Sequence, residues 1–280
     1  MTKVSAGFRL AAVIGDPVGH SRSPRLHGHW LARYAIPGAY VPLHVRAADL
    51  AETLRLLPRI GFVGANVTLP HKESALALAS RATPRARRIG AANTLVFAED
   101  GTIHADNTDA GGFLASLHAA CPKWRPEAFP ATVLGAGGAA RAIVDALLES
   151  GVPELRLLNR SLSRAQDIAL HYGRRVRPLQ WSAAREALAG TGLLVNSTSL
   201  GMAGQPPLDL ALDTLPTASP VCDIVYVPLE TPLLAAARAR GNPVVDGLGM
   251  LLHQAVPGFE RWFGRRPEVD EALRAAVLAP

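Results

Sequence analysis

The chain has 280 residues, 49% of them apolar and only 5% aromatic, with a net charge of +6 and a pI near 9.9. That length allows one large or two ordinary domains with full cores, and no apolar run approaches what a membrane-spanning helix needs. Cys121 and Cys222 stand alone, so neither a disulfide framework nor a zinc site is indicated, and the scattered arginines suit small anions better than nucleic acid. A cytoplasmic protein acting on anionic small molecules is expected, with no metal site.

Residues 8–14 read as a first strand, followed by Gly15-Asp16-Pro17-Val18-Gly19, a turn by composition. His20-Ser21-Arg22-Ser23-Pro24 comes next. Ser23 suits a helix N-cap and Pro24 the first helical position, which leaves Ser21 without a structural role. Two hydroxyls separated by one residue at a helix start make a receptor for a carboxylate; capping is the plain alternative. Residues 40–45 read as strand and 47–57 as helix, with Leu50, Leu54 and Leu57 on one face.

A buried strand at 64–67 then runs into a helix over 71–80, with Pro70 at its first position. Asn66 and Thr68 point to one side of the strand, and Lys72 falls in the first helical turn, where a cation opposes the helix dipole. Only three of the 29 Lys and Arg residues are lysines: Lys3, Lys72 and Lys123. This sequence writes arginine where it wants charge. A lysine among polar side chains therefore points to an amine that exchanges its proton, which arginine cannot do; a solvated lysine is the alternative.

Thr83-Pro84-Arg85 opens a short helix ending at Gly90, and residues 91–97 and 103–105 pair as a hairpin. Asp106-Asn107-Thr108-Asp109 leads into a helix to Ala120 for which Asp109 is also a candidate cap. Residues 121–130 carry three prolines and form a connector. Regular βαβ alternation follows: a strand at 131–134, a helix to 150, a strand at 155–158, a helix to 172, and strands at 193–195, 221–225 and 244–245. A last helix covers 250–262.

The first of these turns reads Gly135-Ala136-Gly137-Gly138-Ala139-Ala140-Arg141 between strand and helix. Gly135 permits the turn, Gly137 lets the backbone approach a pyrophosphate, and Ala140 replaces the third glycine of the dinucleotide pattern. A tight turn without ligand is the alternative. At the end of the second strand, where NAD-binding proteins carry an acid, stand Asn159-Arg160-Ser161 and then Arg164. Guanidinium groups there favour a 2′-phosphate, hence NADP over NAD.

Together these motifs resemble the shikimate dehydrogenase family along nearly the whole chain. The likeness also rests on Gly90-Ala91-Ala92-Asn93-Thr94, Asn196-Ser197-Thr198-Ser199-Leu200-Gly201-Met202, Asp223-Ile224-Val225-Tyr226 and Gly247-Leu248-Gly249-Met250 ending at Gln254. Five of the six asparagines fall inside such motifs; only Asn242 lies outside. The resemblance implies an α/β chain of two domains: a substrate domain over 1–108, a Rossmann-like NADP domain over 109–242, and helices over 243–280 that complete the first domain. It implies that Ser21 and Ser23 hold a substrate carboxylate, with Tyr226 reaching toward it. By the same likeness Asn66, Thr68, Asn93, Asp109 and Gln254 contact ring hydroxyls, and Lys72 and Asp109 are the catalytic pair. Gly135, Ala136, Gly137, Gly138 and Ala139 with Asn159, Arg160, Ser161 and Arg164 would bind the cofactor; Thr198, Ile224, Gly247 and Met250 would line its nicotinamide.

The implied reaction is reversible, NADP-dependent reduction of 3-dehydroshikimate to shikimate by a monomer or homodimer. Ala92 and Ser161 replace the family's commoner valine and threonine, away from the chemistry. Two other readings compete. A quinate/shikimate dehydrogenase using NAD is opposed by Arg160 and by Ser23, where quinate-preferring relatives tend to resemble a threonine. A catalytically silent NADP-binding regulator is opposed by the intact Lys72, Asp109 and Gln254.

Overall fold

The computed structural model describes residues 7–279. The described chain divides into two compact units: the first ends at Thr108 and resumes at Gln254, and the second runs from Asp109 to His253. The first unit opens with β1 (Arg9–Gly15), where Ala11, Ala12, Val13 and Ile14 are all buried, as the uninterrupted apolar run requires. In order come α1 (Ser23–Arg33), β2 (Gly38–His44), α2 (Leu50–Leu56), β3 (Phe62–Val67), α3 (Lys72–Leu78), β4 (Arg81–Ala82), α4 (Pro84–Ile89), β5 (Thr94–Phe97) and β6 (Ile103–Asp106). The sheet order is β2-β1-β3-β5-β6-β4, parallel through β2, β1 and β3 and antiparallel from β3 to β5 to β6. Its register sets Ile14 beside Val67. The segments leaving β1 and β3, which carry the serines and the Asn66–Lys72 stretch, therefore emerge at the same edge.

The second unit holds α5 (Asp109–Ala120), β7 (Ala131–Leu134), α6 (Gly138–Glu149), β8 (Leu155–Asn159), α7 (Leu162–Tyr172), β9 (Val176–Gln180), α8 (Ala184–Leu188), β10 (Leu193–Asn196), β11 (Val221–Asp223), α9 (Pro232–Ala239) and β12 (Val244–Val245). Its six strands are all parallel, in the order β12-β11-β10-β7-β8-β9. Read from β9, that is the 3-2-1-4-5-6 order of the dinucleotide-binding fold, and the order reverses between β7 and β10. Leu134, Leu158, Leu194, Val221 and Leu234 are among its core residues. The chain then enters α10 (Gly247–Phe263), and α11 (Glu271–Leu278) follows. In the first unit Trp262 donates its indole N–H to the Leu95 carbonyl at 2.9 Å, and Arg22 donates to the Val277 carbonyl at 2.7 Å, tying α1 to α11.

Several local expectations change. The helix expected over 71–80 begins at Lys72, and Pro70 lies before it in a turn closed by the His71 N–H on the Thr68 carbonyl at 2.9 Å, after a cis Leu69–Pro70 peptide. Pro70 thus shapes the approach to the helix rather than its first turn. Ser23 does not cap α1: it is the first helical residue, and its N–H donates to the Ser21 hydroxyl at 3.3 Å. The helix expected over 47–57 is split between 3₁₀ turns and α2. The strand expected to reach Val225 stops at Asp223, whose carboxylate takes the Val225 N–H at 3.0 Å and turns the chain. The final helix starts three residues earlier than expected, at Gly247. Strands β4 and β9 and helices α8 and α9 went unpredicted, and α11 was expected only as one of the unplaced helices over 243–280. Among the described residues no helix is long and apolar enough to cross a membrane.

Candidate active site

In the first unit a cluster of buried amides and hydroxyls lies where β3, β5 and α10 meet. Tyr40 donates its phenol to Asn66 Oδ1 at 2.6 Å, and Asn66 Nδ2 donates to the Asn93 carbonyl at 3.1 Å and to Thr94 Oγ1 at 3.3 Å. Asn93 Nδ2 reaches Gln254 Oε1 at 3.1 Å and Thr108 Oγ1 at 3.0 Å, while its Oδ1 accepts the Thr108 N–H at 2.8 Å. Asn66, Asn93, Thr94, Thr108 and Gln254 are all buried. A polar group buried without a partner costs roughly 1–3 kcal/mol, so these partnerships pin each amide in one orientation. Burial raises the Tyr40 phenol well above its usual value and keeps it a donor.

Lys72 is half-buried at the start of α3, and its backbone is anchored from both sides. The His71 imidazole pairs with the Val45 carbonyl at 2.6 Å, and the Ala92 N–H donates to the Lys72 carbonyl at 2.9 Å. The Gly90–Thr94 motif therefore fixes the position of the lysine as well as supplying Asn93. On the neighbouring strand, Asp106 ends β6 and accepts Thr83 Oγ1 at 2.7 Å, Arg85 at 3.0 Å and Arg261 at 2.8 Å. Thr68 is half-buried just past β3, and Ser21 and Ser23 lie at the head of α1.

In the second unit Asp109 is the buried first residue of α5. Gly135 has φ of +103°, and a Cβ there would fall 2.8 Å from Ser197 Oγ and 2.9 Å from Thr198 Cγ2, so only glycine fits. At Gly137 a Cβ would meet no protein atom within 4 Å, and this residue precedes α6 with no side-chain cap. The turn thus presents uncapped helix N–H groups to open space, the geometry that receives a pyrophosphate. Arg160 and Arg164 are exposed beyond β8, Ser161 precedes α7, and no carboxylate falls among residues 159–164. Asn159 turns its Nδ2 onto the Ser161 carbonyl at 2.8 Å. These residues fit an NADP: glycine turn for the pyrophosphate, guanidiniums for the 2′-phosphate. Thr198 and Ile224 sit at the carboxyl ends of β10 and β11; Gly247 packs so tightly on the Ile224 and Val225 carbonyls that no side chain fits. Ala136 and Met250 are buried, and Tyr226 is half-buried.

The sequence motifs thus correspond to two constellations, one in each unit. Tyr40, Thr94 and Thr108 are additional members that sequence reasoning missed. Thr94 and Thr108 lie inside recognised motifs, so the signal was present; Tyr40 stands in an ordinary strand and carried none.

Comparison with known proteins covers both units. Family models match at residues 13–95 (shikimate dehydrogenase substrate binding domain), 126–202 (shikimate/quinate 5-dehydrogenase) and 247–277 (shikimate 5′-dehydrogenase C-terminal domain). The chain is 62% identical over 270 residues to the shikimate dehydrogenase (NADP(+)) of Paracoccus denitrificans, covering 96% of each protein. It is similar to the solved structure of Thermus thermophilus shikimate 5-dehydrogenase in complex with NADP(H) and shikimate, with a TM-score of 0.83 and 39% identity over 95% of this chain and 99% of that one. It is also similar to quinate dehydrogenase from Corynebacterium glutamicum in complex with NAD, with a TM-score of 0.87 and 32% identity over 96% and 98% of the two chains.

Proposed function

The chain belongs to the shikimate dehydrogenase family, and from that premise we propose how its residues divide the work. It catalyses the reversible, NADP-dependent reduction of 3-dehydroshikimate to shikimate, a step toward aromatic amino acids. The observation that carries the activity is the likeness to an NADP(+) shikimate dehydrogenase over 96% of both chains.

Ser21, Ser23 and Tyr226 hold the substrate carboxylate. Asn66, Thr68, Asn93, Asp109 and Gln254 take the ring hydroxyls, the amides already oriented by Tyr40, Thr94 and Thr108. The glycine turn 135–139 takes the pyrophosphate; Arg160 and Arg164, with Asn159 and Ser161, take the 2′-phosphate; Thr198, Ile224, Gly247 and Met250 face the nicotinamide. Bound NADPH supplies the hydride. The Lys72 ammonium polarises the carbonyl and gives its proton to the oxygen as negative charge develops there; in the reverse direction the amine takes that proton back. Asp109 shares the proton exchange. Reduction consumes one hydride and one proton, and the pair supplies the second.

We assign the protein to the cytoplasm, where its two free cysteines stay reduced, as a monomer or homodimer. One assay tests the reading: shikimate and quinate, each with NADP and with NAD, followed by nicotinamide absorbance. Shikimate with NADP should exceed every other pairing by about tenfold or more, the scale of one charge-assisted hydrogen bond. A preference for quinate with NAD would favour the alternative represented by the Corynebacterium enzyme, and inertness with intact NADP binding would favour a regulator.

A further inference from the structure

A chain of buried polar groups runs along the carboxyl edge of the second sheet, and of its members only Thr198 has a role above. Thr231 caps α9 by accepting the Leu234 N–H at 3.3 Å and donates its hydroxyl to Asp223 Oδ2 at 2.7 Å. Asp223 Oδ1 accepts the Val225 N–H and Asn196 Nδ2, both at 3.0 Å. Asn196 Oδ1 in turn accepts both groups of Thr198, the hydroxyl at 2.7 Å and the N–H at 3.1 Å. Thr198 Oγ1 then accepts the Leu200 N–H at 3.1 Å. Thr231, Asp223 and Asn196 are at most 2% exposed.

The network ties together two loops that begin on adjacent strands. The Ile224 N–H donates to the Asn196 carbonyl at 3.0 Å, so β10 and β11 are joined through backbone and side chain of one residue. On the opposite side, Ser197 donates both its N–H (2.9 Å) and its hydroxyl (2.6 Å) to the Leu134 carbonyl at the end of β7. Thr198 is thereby held between β11 and the glycine turn, with its hydroxyl committed to Asn196 and its methyl facing Gly135. This is the switch point of the sheet, where the order of strands reverses and ligands of this fold lie.

A purely mechanical tie would not need a carboxylate. Three neutral donors face Asp223, and burial pushes its carboxyl up to about 6 against them. A pair of apolar residues would join the loops without that desolvation, but would not dictate which way the Asn196 amide and the Thr198 hydroxyl point. We propose that Asn196 and Asp223 are positioning residues for the hydride step: they fix Thr198 and Ile224 as the wall that holds the nicotinamide ring in its reacting orientation. The proposal rests on the cofactor reading given above.

The test compares wild type with Asn196→Ala, Asp223→Asn and, as the conservative control, Thr231→Ser. Calorimetry measures affinity for NADPH and for 2′-phospho-ADP-ribose, which lacks the nicotinamide. Turnover at saturating substrates is measured with NADPH and with NADPH deuterated at the transferred hydrogen, beside the melting temperature. Asn196→Ala and Asp223→Asn should bind 2′-phospho-ADP-ribose within about twofold of wild type yet lose roughly 10–100-fold in turnover, as a misplacement near 1 Å does. Their deuterium isotope effect should rise as hydride transfer becomes limiting, while Thr231→Ser stays at the wild-type value. Parallel loss of both affinities with the melting temperature, and an unchanged isotope effect, would overturn the proposal. Should Asn196→Ala fail to fold, the isosteric Asp223→Asn and the shape-preserving Thr198→Val decide by the same isotope effect. A wild type inert toward 3-dehydroshikimate contradicts the functional reading and the proposal with it. An active wild type whose variants lack the split overturns the proposal alone.

Discussion

Asp106 in the first unit and Asp223 in the second each end a strand, each is almost wholly buried, and each leads directly into candidate site residues. Their surroundings differ in one respect. Burial pushes the Asp106 carboxyl up, but the Thr83 hydroxyl and the Arg85 and Arg261 guanidiniums outweigh it, so the group sits below the ordinary carboxylate range. Asp223 faces the Val225 N–H, Thr231 and Asn196, none of them charged, and burial prevails. A buried aspartate at a strand end is a charged brace where cations meet it and a desolvated acceptor where they do not. The first unit holds its site rigid with compensated charge; the second orients its loops with neutral donors.

The largest expected effect tests the first half of that contrast. Arginine serves as the bracing cation at Asp106, so if Lys72 supplied only charge, Lys72→Arg would be mild. Proton exchange predicts that both Lys72→Arg and Lys72→Ala lose about 10²–10⁴-fold in turnover while retaining NADP affinity, because arginine cannot give up a proton near neutral pH. Steady-state assays beside calorimetry check this; a Lys72→Arg enzyme with most of its turnover would leave Asp109 as the proton carrier.

The braces come next. Asp106→Ala should cost about 3 kcal/mol in urea unfolding, the low end for breaking a buried ion pair, because Arg85 and Arg261 remain 40% and 41% exposed. Asp223→Asn should change stability by about 1 kcal/mol or less at neutral pH, since it removes a desolvated charge while its remaining oxygen can still accept the Val225 N–H and Asn196. Their pH signatures have opposite sign. Asp223 moves from an ordinary 3.8 to about 6 on folding, so its contribution is greatest below about pH 4, falls as pH rises toward 6 and is constant above. Asp106 is depressed, so its contribution is present above its ordinary 3.8 and is lost as pH falls through the folded value. Unfolding profiles of the two single variants should each flatten in their own window. Equal windows would erase the distinction between the units.

Arg160→Ala should weaken NADP by roughly tenfold or more and leave NAD largely unchanged, as expected for one charged hydrogen bond of about 1.5–3 kcal/mol. Equal losses would remove Arg160 from 2′-phosphate binding. The smallest effect is at Ser21. Because its hydroxyl accepts the Ser23 N–H at 3.3 Å, Ser21→Ala should lower stability by about 0.5–1 kcal/mol while raising the Michaelis constant for shikimate. A change in stability alone would make Ser21 structural.

Much of the architecture was legible because it is written locally. Apolar runs bounded by Gly and Pro mark β1, β3, β7 and β8, and the glycine turn between β7 and α6 announces the parallel sheet. Strand β9 escaped because it is an edge strand reading Val-Arg-Pro-Leu-Gln, with a proline no central strand tolerates. Ser23 was misplaced as a cap because either hydroxyl suits a helix start; the backbone path puts Arg22 at the cap and Ser21 as acceptor of the Ser23 N–H. Asn66, Asn93 and Gln254 stood in motifs and are hydrogen-bonded neighbours or share one. The Tyr40 phenol and the Arg261 brace were not legible, since each contacts a partner 26 or more residues away with nothing local to mark it.

Most of the groups assigned to the substrate, from Ser21 to Asn93 and Gln254, belong to the first unit, Asp109 and Tyr226 excepted, and all of those assigned to the cofactor belong to the second. Amide hydrogen exchange with each ligand alone separates the two sets. Shikimate should slow exchange around residues 21–23, 66–72 and 91–94, and NADP around 135–139, 159–164 and 197–199. Protection of the glycine turn by shikimate alone, or of the Asn66–Lys72 stretch by NADP alone, would contradict this division between the units.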